Sequence, residues 1–474
     1  MSVKESISAL VDAKADLFTG VSDEIWKNPE LGFKEFKSAK VLIDALKAEG
    51  FAVEEGLAGI PTAFSGTFGS GKPVIGFLGE FDALPSLSQE ASCATHKEVV
   101  KDAPGHGCGH NALGAGSLAA AVALKDYMQQ NNIAGTVIYY GCPGEEFGCG
   151  KAFMAREGCF DKLDCAFSWH PGDTTAVMAV SSLANISVFF KFHGRTAHAA
   201  AAPHMGRSAL DAAELMNIGV NFLREHVIDA ARIHYAFHDV GGQAPNVVQD
   251  RAKLHYYIRA PKIEQAKEIF ARIEKIAKGA AMMTETECEI QIKDGLSDYV
   301  PNAVLSQLLG ESMQELGPVP FDENDHQVAQ SFRDSLTEAE KKGVVAQLTM
   351  MGLPNAAEYA DKDLFDGVVG YAPSSLCMPG STDVGDVSYV TPTAQMTAAT
   401  GCIGTPGHTW QQTAQAGSSI AHKGLLYAGK AMALAAAKVL ADPSILKPAH
   451  DEYMAATGGK YNCPFPDDVK PYLD

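Results

Sequence analysis

The chain has 474 residues, 46% hydrophobic and 20% charged, which excludes a disordered or fibrous protein and exceeds one ordinary core, so two domains are expected. Its 38 Lys and Arg against 57 Asp and Glu give a net charge of -19, which argues against a nucleic-acid partner because phosphate binding needs a basic face. Met1-Ser2-Val3-Lys4-Glu5 lacks the regions of a signal peptide, no uncharged run of about 18 strongly apolar residues follows, and the cysteines show no tight regular spacing. A cytoplasmic chain with reduced thiols and no membrane partner is therefore expected.

Residues 3–27 and 34–49 carry helical apolar spacing, with Gly50 at a C-cap position. Nearly continuous apolar runs at 73–78, 136–140 and 165–168 read as strands buried on both faces, with a helix-like segment, Leu113 to Met128, between the first two. This alternation predicts an α/β sheet core. From Ala184 the period becomes two: Ile186, Val188, Phe190 and Phe192 share one face, while Ser187, Lys191 and His193 share the other, predicted wet. A helix at about 206–226, strands at 232–238 and 252–259, a helix at 262–283 and a strand at 287–292 complete the order βαββαβ of a ferredoxin-like sandwich over 184–294. Another helix follows Pro301, residues 318–345 read as a polar insertion or surface helix without a usable motif, and strand signals return near 365–372 and 394–404. The alanine-rich stretch 428–441 carries Lys430 and Lys438 and reads as a small-residue helix, not a membrane span.

Polar islands follow the apolar runs. Asp82 follows the first strand run, Glu145 and Glu146 the second and His170 the third, while Cys108 and His110 sit just before a helix. In open α/β sheets the working groups collect at the carboxyl ends of strands, so sequence order delivers these groups to one rim. Imidazoles, a thiolate and adjacent carboxylates are divalent-metal ligands, and a spare acid can activate a metal-bound water. Two neighbouring acids repel unless a positive charge lies between them, which favours a metal site over unrelated buried polar groups. A Cys108 nucleophile with His110 as base is the rival reading, but no oxyanion motif accompanies the pair.

Gly79-Glu80-Phe81-Asp82-Ala83-Leu84-Pro85, Gly107-Cys108-Gly109-His110-Asn111, Gly144-Glu145-Glu146, Gly194-Arg195-Thr196-Ala197-His198 and Gly380-Ser381-Thr382-Asp383, taken in order, resemble the amidohydrolase branch of the co-catalytic metallopeptidases that include aminoacylases and glutamate carboxypeptidases. The resemblance spans nearly the whole chain. It implies a mixed-sheet dimetal catalytic domain over 1–183 and 295–474, interrupted by an inserted dimerisation and lid domain over 184–294. It further implies two divalent ions, Mn²⁺ or Zn²⁺, roughly 3.5–4 Å apart. Cys108 matches the bridging ligand, and His110, Glu146, His170 and His408 match the terminal ligands. Glu145 matches the general base, and Asp82 the acid that orients a ligand histidine.

In relatives of this kind the position of His198 reaches the partner subunit's active site and helps hold the oxyanion, and the positions of Asn246 and Arg259, read here as strand residues, contact the substrate carboxylate. Asn111 and Thr382 stand where the branch commonly has Asp and Glu, and Glu80-Phe81-Asp82 where many relatives have His-x-Asp; none of these changes removes a ligand. The activity implied is hydrolysis of an amide between an acyl or aroyl group and an amino acid with a free carboxylate, p-aminobenzoyl-glutamate being the first candidate. The alternatives are a dipeptidase or another N-acyl-amino-acid hydrolase and, outside enzymes, a noncatalytic metal-binding subunit. The assembly implied is a homodimer or a heteromer with a paralogous chain.

Overall fold

The computed structural model describes residues 1–350 and 352–473. Its larger body is built on a seven-stranded mixed sheet, in the order Ala52–Glu55, Phe64–Ser70, Gly135–Gly141, Val74–Gly79, Cys165–Gly172, Thr393–Ala399, Ala176–Val177. The strands from Gly135–Gly141 to Thr393–Ala399 run parallel to their neighbours, whereas the outer pairings are antiparallel. Every residue of Val74–Gly79 and Gly135–Gly141 is buried, as their unbroken apolar sequence requires. Helices His110–Asn131 and Ser419–Ala441 share this core. The second is apolar enough to cross a membrane, with a mean hydropathy of 1.3, but 78% of that window is buried inside the protein. Its alanines let it lie close against the first.

The parallel strands all point their carboxyl ends to one rim. Glu80 and Asp82 follow Gly79, Glu145 and Glu146 follow Gly141 after a short turn, His170 lies near the end of its own strand, and His408 lies in the loop after Ala399.

The smaller body is a four-stranded antiparallel sheet in the order Glu287–Leu296, Ala184–His193, Arg251–Ala260, Arg232–Asp239. Helices Ala209–Leu223 and Ile263–Thr284 cover one face and enclose a core of their own around Val188, Phe190, Tyr256, Met216 and Ile273. That strand order with two helices on one side is the ferredoxin-like arrangement. Strand Arg232–Asp239 forms one edge of the sheet.

Four sequence readings need correction. The first helical stretch is two helices, Val3–Asp12 and Ala15–Lys27, broken where Lys14 turns to pair with Glu49 at 2.5 Å and Asp126 at 2.7 Å. Residues 365–372 form no strand: Val369 makes a single bridge to Ala176, and Gly367 and Gly370 interrupt the run. The second face of the smaller sheet is wet only at its far end. Ser187 and Phe189 are buried while His193 is exposed, because the near half of that face, with Asn185, Tyr257 and Arg259, covers a cleft in the larger body. Residues 318–345 are more than a surface insertion: they belong to helices Glu323–Ser335 and Glu338–Met350, and Val344 and Leu348 of the second pack against Phe365, Ala399 and Ile403 beside the rim.

Candidate metal centre

Two backbone turns present the key groups, and both need glycine. Gly109 precedes helix His110–Asn131 with φ 80°, and a Cβ there would lie 2.9 Å from Pro171. Gly144 precedes Glu145 with φ 67°, where a Cβ would meet the Phe33 ring at 2.7 Å. The Gly144 N–H donates to Glu35 at 2.8 Å, which fixes the loop from behind. His408 also has a left-handed backbone, φ 57°, an uncommon conformation for a non-glycine residue and one that concentrates at functional sites.

These turns bring five distant residues together in two groups that share one thiol. Cys108, His110 and His170 offer ligand atoms all within 4.8 Å of one another, as do Cys108, Glu146 and His408. Cys108 Sγ is 3.5 Å from His170 Nε2, and His408 Nε2 is 3.5 Å from Glu146 Oε1. Two ligands of one tetrahedral ion, at ordinary zinc–sulfur and zinc–nitrogen bond lengths, stand about 3.5 Å apart, so the spacing fits a cation. Among the described residues His110 Nε2 and Glu146 Oε1 are buried without a hydrogen-bond partner, as atoms free to meet a metal would be.

The hydrogen bonds behind these atoms prepare them to bind. His110 Nδ1 donates to Asp82 Oδ1 at 2.7 Å, leaving Nε2 to face the site, and Asp82 Oδ2 accepts the Glu146 backbone N–H at 2.9 Å. One carboxylate thus orients a histidine from one motif and a glutamate from another. His170 Nδ1 donates to the Pro171 carbonyl at 2.7 Å, and burial, reinforced by His110, pushes its pKa down to about 4, so the ring is neutral with a free Nε2 lone pair.

Buried together, these groups resist carrying negative charge. Burial, together with the Glu146 carboxylate, pushes the Cys108 thiol well up. Burial, then Glu80, Glu146 and Asp383, pushes Glu145 well up as well. A positive charge at the centre would counter both shifts.

Glu80, Lys151 and Asp383 form a buried network that the sequence reading left unassigned. Lys151 Nζ lies 2.6 Å from Glu80 and 2.5 Å from Asp383, and its own backbone N–H donates to Asp383 at 2.9 Å. Glu80 Oε2 stands 3.3 Å from His110 Nε2 and groups with His110 and Glu145. A lysine in the otherwise apolar run Ala152-Phe153-Met154 of helix Gly150–Arg156 was the available signal, since such a charge is rarely buried unpaired.

A cavity of about 490 Å³ opens on the cluster and is lined by Cys108, Glu145, Glu146, His170, Arg259 and Ser381 among others. Arg259 comes from the smaller body and donates through Nη1 to Ser381 Oγ at 3.2 Å, while its Nε is buried and unpartnered. Asn246 and His198 do not line this cavity. Asn246 is exposed in the loop between strands Arg232–Asp239 and Arg251–Ala260, not on a strand, because Gly241-Gly242 and Pro245 break the pairing before it. His198 is exposed beside that loop, where the Ala199 N–H donates to the Asn246 carbonyl at 2.9 Å. The Ala200 and Ala201 N–H groups donate to His198 Nδ1 at 3.2 and 3.1 Å, so the neutral ring carries its proton on Nε2 and offers a donor away from its own turn. His422, unassigned from sequence, pairs with Asp23 at 2.7 Å.

Known proteins resemble this chain in sequence and in fold. The model of peptidase family M20/M25/M40 matches residues 76–409, which contain every ligand group just described. The chain belongs to this family. Relatives include one of the subunits of p-aminobenzoyl-glutamate hydrolase of Escherichia coli K12, 42% identical over 98% of both chains, and the Xaa-Arg dipeptidase of Mus musculus, 29% identical over 95% of this chain and 92% of that one. Among solved structures, an aminobenzoyl-glutamate utilization protein from Klebsiella pneumoniae shares the fold, with a TM-score of 0.59 and 18% identity over 88% of this chain and 98% of the other. As an M20/M25/M40 member the chain is a metal-dependent amidohydrolase that acts on a small-molecule substrate.

Proposed function

We propose that this chain hydrolyses the amide between an aroyl or acyl group and an amino acid with a free carboxylate, with p-aminobenzoyl-glutamate as the preferred substrate. The observation that carries the reading is the pair of ligand groups sharing Cys108, next to a free acid, Glu145, and within a cavity that also holds Arg259. The E. coli relative at 42% identity supports the choice of substrate. Cys108, His110 and His170 would hold one divalent ion, and Cys108, Glu146 and His408 a second. The thiolate and imidazoles suit Zn²⁺, while the carboxylate suits Mn²⁺. When bound, the ions polarise the scissile carbonyl and acidify water.

The chain's own residues do the rest. Glu145, adjacent to the ligands yet outside both groups, takes the proton from the attacking water and passes it to the departing amine nitrogen. Asp82 holds His110 in the tautomer that presents Nε2. Arg259 binds the carboxylate of the amino-acid half through its guanidinium fork.

We further infer that residues 184–294 work as a dimerisation and lid domain. Tyr235 and Phe237 on edge strand Arg232–Asp239, with Ile218 and Phe222 on the adjacent helix, are exposed apolar groups that a second copy or a paralogous chain would cover. Such a partner would bring its own His198 Nε2–H and Asn246 to this chain's cleft. The ten free cysteines suit a cytoplasmic setting.

The test is a panel of p-aminobenzoyl-glutamate, other acyl-amino acids and dipeptides, run with the purified chain alone and with Zn²⁺ or Mn²⁺ added. The highest kcat/KM is expected for p-aminobenzoyl-glutamate. Preference for dipeptides overturns the substrate, and no turnover with any amide assigns the chain a noncatalytic role. Glu145→Ala should retain metal and lose turnover.

A further inference from the structure

The ligand cluster is a wall shared by two cavities. Cys108, His170 and His408 line both the cavity of about 490 Å³ that holds Arg259 and a second one of about 220 Å³. Apart from these and Pro171, the linings have no residue in common. An amide cleaved at the cluster has two halves that diverge from the scissile carbonyl, so each half has a cavity to enter.

The smaller cavity has the chemistry for the uncharged half. Among the described residues no Lys or Arg lines it, and part of its wall is Gly109, Ala112, Gly401, Gly407 and Ala421, which leaves a slot between the longer side chains. Most of its polar groups are already committed. Gln415 bonds Cys402 N, Thr405 Oγ1 and the Gln411 carbonyl, Gln412 Oε1 accepts from His408 N, and Asp173 accepts from Gly404 N. The Gln347 side chain makes no hydrogen bond among the described residues. It projects from helix Glu338–Met350 next to Val344 and Leu348, whose burial against Phe365 and Ile403 fixes that helix against the rim. Residues three and four apart share a helix face, so the same packing that anchors the helix aims Gln347 at the slot.

We propose that the cavity of about 220 Å³ is the acyl subsite and that Gln347 is a specificity-determining residue, hydrogen-bonding the far end of a flat, uncharged aroyl group. Helix Glu338–Met350 then selects the acyl half through Gln347, while Arg259 selects the amino-acid half. This rests on the amidohydrolase reading above.

The experiment compares p-aminobenzoyl-glutamate with acetyl-glutamate, which keep the same amino-acid half. Gln347→Trp should fill the slot and lower kcat/KM for the aroyl substrate by at least about tenfold while changing the acetyl substrate less than about twofold. Arg259→Met should lower both alike. Gln347→Leu, which keeps the volume and removes the amide, should lower the aroyl substrate alone. Equal loss on both substrates in Gln347→Trp, or no loss on either, overturns the proposal.

Ligand-observed NMR with the neutral fragment p-aminobenzamide separates this from the activity itself. Binding kept in Arg259→Met and lost in Gln347→Trp supports the subsite, and binding kept in Gln347→Trp overturns it. Should the wild-type chain cleave no acyl-amino acid, the activity reading fails and the fragment measurement decides the subsite by itself.

Discussion

Replacing Lys151 by methionine removes one cation and leaves two buried carboxylates, Glu80 and Asp383, facing each other without it. Burial alone would lower the lysine's pKa, but Asp383 and Glu80 outweigh it and hold the ammonium charged. Contacts of 2.6 and 2.5 Å are each worth about 6 kcal/mol of attraction at an effective dielectric of ~20, most of it offset by stripping water from three ions. The imbalance after removal of one partner is what registers, and for a buried network it is about 3–5 kcal/mol of stability. Tryptophan fluorescence is the natural assay, because Trp26, Trp169 and Trp410 all lie outside 184–294, so urea unfolding reports the larger body. Adding Glu80→Gln and Asp383→Asn to Lys151→Met should recover at least about half of the loss, since neutral amides leave no unpaired charge. A loss below about 1 kcal/mol in Lys151→Met, or no recovery in the triple variant, refutes the network as a structural support of the site.

Three more outcomes follow from the same geometry. Cys108→Ser removes the atom common to both ligand groups, so elemental analysis after dialysis should find fewer than two ions per chain; two tightly held ions would contradict the shared ligand. Glu145→Gln and His198→Ala should each be inactive alone, yet mixing and reassembling them should restore about a quarter of the active sites if a second copy supplies His198, whereas a mixture as dead as its parts excludes that arrangement. Asp386 is pushed from its ordinary 3.8 up to about 7 by burial, even though Ser297 and Tyr461 donate to it. Its contribution to stability is therefore complete below about pH 4 and lost as the pH rises through 7. Asp386→Asn should flatten that decline in a series of unfolding curves, and a variant that keeps the wild-type pH slope rules out Asp386 as its source.

Periodicity and residue type made much of this protein legible before any fold was known. Continuous apolar runs marked strands buried on both faces, and alternation after Ala184 marked a sheet with one covered face, because burial on two sides or one leaves a direct imprint on side-chain polarity. The candidate ligands were legible because Cys, His and paired Glu have few reasons to follow strand ends except to work there. The break at Lys14 was hidden, since the acids that capture the lysine, Glu49 and Asp126, are far along the chain. The loop position of Asn246 was hidden for a different reason: alternation tells nothing about where Gly241-Gly242 and Pro245 release a strand from its neighbour.

By itself, then, the sequence determined the two layer types, the rim on which the polar islands gather and the kind of side chain each contributes, all of them consequences of local pattern. Only the tertiary structure decided that Asp82 grips His110 and the Glu146 backbone together, that Lys151 lies between Glu80 and Asp383, and that Gln347 and Arg259 enter separate cavities beside one thiol. Those are meetings of residues from distant parts of the chain, and their geometry is set by how helices and sheets pack, which local pattern does not encode.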